Sequence, residues 1–110
     1  MASLPYRTIA VSGASMQPTY NDGDWLLFKS MKQGDIAQVQ AAIGKVVVIE
    51  RESYPGILYI KRLIRIDSSG CWVEGDNKEG STDSRNWGAL SCEEIIGLVL
   101  ARYRRDKTKA

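Results

Sequence analysis

The chain has 110 residues, of which 44% are hydrophobic and 25% are charged. This length and composition indicate one globular domain and exclude long disordered segments. The net charge of +2 is too small to indicate nucleic-acid binding. Since no apolar run approaches the roughly 18 residues of a membrane span, we expect a soluble and most simply cytoplasmic domain. It would be membrane-associated if an upstream anchor has been removed.

Short apolar or alternating runs predict strands, and turn-rich segments separate them. In chain order, we predict strands within 7–11, 24–30, 44–52, 57–66 and 71–75. Ser91 and Glu94 form a capping-box pattern before a β-branched run, which predicts one helical turn and then a last strand. We expect another helical turn after Ser15. The fold class is therefore mainly β, an antiparallel coiled sheet or distorted barrel with short helical turns.

A single domain is predicted to span 1–110, with a basic tail over 104–110. We expect this tail to be flexible, and a contact with anionic lipid or an acidic partner is the alternative. Trp25, Leu26 and Phe28 are expected in the core. The alternatives for these three residues are a substrate cleft or a lipid-contacting surface.

The chain contains no histidine. This excludes Ser-His-Asp triads, Cys-His dyads and His-ligated metal sites. Cys71 and Cys92 alone cannot form a zinc site, so no metal or cofactor is predicted. Their spacing leaves open whether they pair, and we favour free thiols.

A reactive serine in this chain needs a base other than histidine. A lysine can serve if burial lowers its pKa from about 10.4 to near neutrality. Lys61 is the best candidate, because it lies among apolar neighbours on the strand predicted within 57–66. On local sequence alone, an outward-facing strand lysine is the alternative.

Four motifs in order resemble the conserved boxes of type I signal peptidases, and they cover most of the chain from Val11 to the last strand. They are "GASMQPTY" followed by "DGD", then "KQGDI", "YIKRLI" and "EGDNKEGSTDSRNWG". The first resembles the nucleophile box, the second a Gly-Asp that leads into a strand, and the third the box of the general-base lysine. The fourth resembles the last box of the family. The resemblance implies a minimal catalytic core with the signal-peptidase or LexA-like β-fold.

The resemblance implies a role for each matching residue. Ser15 matches the nucleophile of the family, and its N–H matches a donor of the oxyanion hole. Lys61 matches the general base, and Ser81 matches the serine that orients the lysine amine. The remaining matches would line or support the cleft: Gly13 and Met16 at the substrate, Pro18 in the turn of the serine, Gly75, Asp76 and Asn77 in the loop of the last box, and Asp83 with Arg85 as a bracing ion pair.

The implied function is a serine endopeptidase with a Ser-Lys dyad that removes N-terminal signal or leader peptides. Its partner would be a polypeptide precursor with small residues before the cut, with a peripheral membrane contact as an option and the oligomeric state open. A soluble maturation protease for nickel-type superoxide dismutase is the leading alternative within the class. Outside it, we retain a LexA-like self-cleaving regulator and an inactive peptide-binding module.

Overall fold

The computed structural model describes residues 5–104. Its strands are β1 (Tyr6–Ala10), β2 (Trp25–Ser30), β3 (Val46–Glu50), β4 (Leu58–Asp67), β5 (Gly70–Glu74) and β6 (Ile95–Arg104). They form one sheet in the order β1-β2-β6-β3-β4-β5, and all of the pairings are antiparallel. The predicted mainly β, antiparallel class is confirmed, as a coiled sheet that is not closed into a barrel.

Helix α1 (Ile36–Ala41) corrects one expectation from the sequence. We expected the Gly-Asp of "KQGDI" to lead into a strand, and this prediction is wrong. The Asp35 carboxylate instead caps the helix by accepting a hydrogen bond from the Gln38 N–H at 3.2 Å. The apolar residues that follow recur with helical spacing, and Val39 is buried in the core.

Two further helical turns lie late in the chain, α2 (Ser84–Trp87) and a 3₁₀ turn (Cys92–Glu94). The predicted capping box is confirmed at the second, where the Glu94 carboxylate accepts a hydrogen bond from the Ser91 N–H at 2.9 Å. The segment after Ser15 forms hydrogen-bonded turns rather than a helix.

The central strand β3 is buried on both faces of the sheet. Val47 and Ile49 pack into one apolar cluster, and Val46 and Val48 pack into the other. Successive side chains of a strand point to opposite faces, so burial of both faces explains the uninterrupted apolar run of β3. Each such side chain stabilises the fold by about 1.5–3 kcal/mol relative to an exposed one.

The expectation of a core position is confirmed for Leu26 and Phe28, which are fully buried. Trp25 is half-buried and lies against the ring of Tyr103, with 6.5 Å between centroids. Strand β6 continues to Arg104, and the rest of the predicted basic tail lies outside the described residues. Within 5–104, no helix has the length and apolar character needed to cross a bilayer.

The sheet coils so that strands distant in its order face each other. Strands β1 and β4 are separated by β2, β6 and β3, yet residues of both line one cleft. The β2–β6 and β3–β6 pairings contain register shifts, which interrupt the regular ladder. Irregularities of this kind, such as bulges, bend strands and increase their twist. This curvature brings the turn after β1 next to the middle of β4.

Candidate active site

Ser15 and Lys61 line the same cleft, whose volume is about 460 Å³. One wall comes from β1 and the turn that follows it, and the other comes from the first half of β4. The apolar part of the lining consists largely of Ile9, Val11, Met16, Leu58, Ile60 and Trp87. A cleft of this size is within the usual range for ligand sites, which are mostly apolar with a few placed polar groups.

Ser15 lies in a turn that is anchored by its neighbour in the sequence. Met16 is 1% exposed and packs into the apolar cluster that contains Val46 and Val48, which fixes the backbone beside the serine. The Gln17 N–H donates to the Ala14 carbonyl at 3.1 Å, and Pro18 continues the turn. Since the Met16 side chain is held in the core, the serine is placed by packing as well as by turn hydrogen bonds.

Of the two residues that the resemblance places at the substrate, Met16 lines the cleft and Gly13 does not. Gly13 has φ of 87°, a conformation that favours glycine. Its N–H donates to the Asp22 carboxylate at 2.8 Å. This bond links the two ends of the turn that carries Ser15.

Lys61 is 5% exposed although it carries an ionisable amine. Burial lowers the pKa of Lys61, the nearby negative charge of Asp83 opposes this shift, and Arg85 adds to it. The amine donates to the Ser81 hydroxyl oxygen at 3.1 Å, and that hydroxyl donates onward to Asp83 at 2.7 Å. Ser81 therefore orients the lysine amine, and burial makes this amine lose its proton more easily than it would in water.

Asp83 is a fully buried acceptor at the centre of this network. It accepts hydrogen bonds from the Gly75 N–H at 2.8 Å, from Ser81, and from the Arg85 guanidinium at 3.0 Å, and it caps α2. Burial acts to raise the pKa of Asp83, but hydrogen bonds from Arg85, Gly75 and Ser81 outweigh it and hold the pKa below its usual range. The carboxylate stays charged and keeps Ser81 oriented toward Lys61.

Asn77 and Gly75 join the last box to the nucleophile turn. The Asn77 N–H donates to the Ser15 carbonyl at 2.9 Å, and its side-chain amide donates to the Ala14 carbonyl at 3.0 Å. A Cβ at Gly75 would lie 2.5 Å from the Ser15 carbonyl oxygen and would overlap the Ser81 side chain. Only glycine lets these segments approach so closely.

Two residues that sequence reasoning missed, Arg62 and Thr19, also hold this loop. Arg62 pairs with Asp76 through two hydrogen bonds of 2.9 and 2.7 Å, and the Thr19 hydroxyl donates to the same carboxylate. Arg62 directly follows Lys61 on β4, so its side chain points to the opposite face. A signal was available, since Thr19 and Arg62 stand within the quoted motifs "GASMQPTY" and "YIKRLI".

Within the described residues, the Ser15 hydroxyl makes no hydrogen bond to the Lys61 amine. Contacts between a nucleophile and its base are often long without substrate and tighten when it binds. The site thus combines a serine and a buried lysine in one cleft with an oriented amine. This combination can support nucleophilic attack on a carbonyl carbon.

Comparison of the sequence with known proteins also indicates a peptidase. A sequence profile of the family described as Peptidase S24-like matches residues 4–100. The chain belongs to this family. The match includes every residue assigned above to the candidate active site, and a peptidase of the S24 family is therefore the general class of the protein.

Three curated relatives are similar to the chain. It is 31% identical to mitochondrial inner membrane protease subunit 1 of Xenopus tropicalis, 31% to subunit 2 of Mus musculus and 31% to subunit 1 of Schizosaccharomyces pombe. These alignments cover 86%, 83% and 83% of this chain, and 66%, 61% and 69% of the relatives. The chain thus spans about two thirds of their length. Family and relatives confirm the predicted kinship with peptidases of the signal peptidase I type.

Proposed function

We propose that this chain is a serine endopeptidase that uses Ser15 and Lys61 to remove N-terminal signal or leader peptides from precursor proteins. The observation that carries the proposal is the buried Lys61 amine, oriented by Ser81 in the cleft that Ser15 lines. An unused strand lysine would face solvent, where its charge is hydrated. Burial of this amine lowers its pKa, as a general base requires.

The proposed reaction proceeds through an acyl-enzyme. Lys61 removes the Ser15 proton while the hydroxyl oxygen attacks the peptide carbonyl, and the Ser15 N–H stabilises the negative charge that develops on the carbonyl oxygen. Protonated Lys61 then gives its proton to the leaving amine. The Lys61 amine, neutral again, then removes a proton from a water molecule. This water hydrolyses the ester and restores the Ser15 hydroxyl.

An extended substrate suits the walls of this cleft. In the described part of the chain, β1 pairs only with β2, which leaves its other edge without a strand partner beside the cleft. A peptide can add to such an edge through backbone hydrogen bonds. A preference for small residues before the cut is part of the proposal, because the signal-peptidase resemblance implies it.

The names of the relatives bear on partners and location. They are called subunits of a mitochondrial inner membrane protease, so a partner subunit and a membrane-linked precursor are both part of the proposal. The cytoplasmic location and the nickel superoxide dismutase subtype both stay predictions.

The test is mass spectrometry of a peptide library incubated with wild-type protein and with Ser15→Ala and Lys61→Ala variants. The matched controls are Ser68→Ala and Lys29→Ala, which alter an exposed serine and an exposed strand lysine away from the cleft. We expect cleavage after small residues by the wild type and both controls, and none by the Ser15 or Lys61 variants.

The alternatives give different results. Cleavage that survives Ser15→Ala excludes the proposed nucleophile. Binding of library peptides without cleavage, by protein whose circular dichroism shows a folded sheet, supports the inactive binding module instead. Cleavage of the chain's own backbone without cleavage of peptides supports a self-cleaving regulator.

A further inference from the structure

Arg51 lines the same cleft as Ser15 and Lys61, immediately after β3 ends. Its guanidinium carbon lies 4.6 Å from the ring centre of Trp87 and 5.9 Å from that of Tyr54. Aromatic rings near a guanidinium contribute cation–π attraction and leave its N–H groups available for hydrogen bonds. The two rings therefore hold the Arg51 side chain in place without using its donors.

The Nε–H donor of Arg51 lacks the partner that a buried polar group normally has. The Nε atom is shielded from solvent and has no hydrogen-bond partner within residues 5–104, the part that the structure describes. The ion pairs found in this part of the chain use other arginines, namely Arg62, Arg65, Arg85 and Arg102. Since buried polar groups are nearly always hydrogen-bonded, the unpaired Nε–H of Arg51 indicates that an acceptor from another molecule completes the hydrogen bonding of this side chain.

The charges of the cleft indicate which acceptor fits. Among the described residues that line it, the basic side chains are Arg51 and Lys61, and none is Asp or Glu. Lys61 must be neutral to act as a base, so Arg51 supplies the positive charge of the working cleft. A planar guanidinium binds a carboxylate through two parallel hydrogen bonds, and a partly desolvated site strengthens them.

We propose that Arg51 binds an acidic side chain of the peptide substrate and so selects Asp or Glu at a position near the cleaved bond. The proposal deepens the proposed function and rests on it for the identity of the ligand as a peptide. Tyr59 and Lys61 are two residues apart on β4, about 7 Å, and Trp87 packs against Tyr59 with 5.3 Å between ring centres. Arg51 stacks on the same Trp87 ring, so the acidic residue should be about two to four residues from the cut.

The test measures binding rather than cleavage, with the Ser15→Ala protein and fluorescent decapeptides with amidated C-termini. Each peptide has alanine at the first and third positions before the expected cut, and one other position carries either Glu or Gln. Fluorescence anisotropy gives the dissociation constant of each pair. We expect about tenfold tighter binding of Glu than of Gln at one position, as for a charge-assisted hydrogen bond.

Variants of two stacked arginines separate recognition from a general effect of charge. In the Ser15→Ala background, Arg51→Gln should abolish the preference for Glu, whereas Arg51→Lys should keep part of it. The matched control is Arg65→Gln, because Arg65 also stacks on a tryptophan, Trp72 at 4.4 Å, but lies outside the cleft. The control should keep the full preference.

Two results would overturn the proposal: equal binding of Glu and Gln peptides at every position, or a preference that persists in Arg51→Gln. This readout does not depend on catalysis. If wild-type protein cleaves no peptide while the Glu preference is present and depends on Arg51, the endopeptidase function fails and the role of Arg51 stands. If the wild type cleaves peptides but shows no preference for Glu, the endopeptidase function stands and the proposed role of Arg51 fails.

Discussion

Gly75→Ala tests how closely the last box must approach the nucleophile turn. The added Cβ would lie 2.5 Å from the Ser15 carbonyl oxygen, against an ordinary contact of at least 3.4 Å, so the two segments must separate by about 0.9 Å. The added Cβ would also overlap the Oγ and Cβ atoms of Ser81, so this side chain must move as well. A misplacement of about 1 Å can reduce turnover about 100-fold, equivalent to roughly 2.7 kcal/mol.

The assay is the kcat and KM of purified Gly75→Ala protein on a peptide that the wild type cleaves. We expect kcat to fall about 100-fold, because the serine and the lysine shift relative to each other. The control is Gly70→Ala, whose Cβ would overlap the backbone of Leu90, and neither of these residues lines the cleft. It should lower the melting temperature but leave kcat of the folded protein nearly unchanged. A Gly75→Ala protein with kcat within threefold of wild type would refute this account of the site.

Three further predictions concern the buried ionisable groups. Asp83→Asn should lower the free energy of unfolding by about 2 kcal/mol at pH 7. Because the pKa of Asp83 is lowered in the folded protein, thermal melts should show this difference shrinking as the pH falls below about 4. Lys61→Met should raise stability at pH 7 by about 1 kcal/mol. Since the folded pKa of Lys61 is lowered from 10.5, melts should show that gain disappearing as the pH approaches this value, and a gain that grows with pH would contradict the reasoning. Cys71 and Cys92 are free, with their sulfurs 2.6 Å apart; glutathione disulfide should oxidise both to one disulfide, seen as the loss of two hydrogen atoms by intact-mass measurement and of both thiols by titration.

The cysteine reaction has a predictable order. Burial and the hydrogen bond with Cys92 raise the pKa of Cys71 to about 12, so few Cys71 thiolates exist at neutral pH. Cys92 is the more accessible of the two and should attack the oxidant first. A mixed disulfide that accumulates on Cys92 and is never resolved by Cys71 would contradict the pairing.

The strands could be predicted because their signal is local. The run of β3 is apolar throughout since both of its faces are buried, and β4 carries Lys61 among apolar residues. Helix α1 was missed because the resemblance favoured a strand after Gly34, although Asp35 is a good helix cap. The capping residue Asp35 therefore predicts this element better than the resemblance does.

The candidate site depends on contacts between residues far apart in the sequence. Composition could show that a reactive serine needs a lysine, but only the motif order indicated that Ser15 and Lys61 belong together. No local pattern reveals that Asn77 binds the Ser15 carbonyl or that Arg62 holds Asp76. Arg51 was not predicted, because its importance follows from a missing partner in the folded cleft.

The central claim is that neutral Lys61 activates Ser15, and the pH dependence of kcat/KM between pH 6 and 10 tests it most directly. We predict a rate that rises with a single apparent pKa below 10.5, since burial lowers the pKa of Lys61. Asp83 opposes that shift, so Asp83→Asn should move the rise to lower pH. A rate that does not change with pH, or a rising limb that persists in Lys61→Ala, would contradict the account.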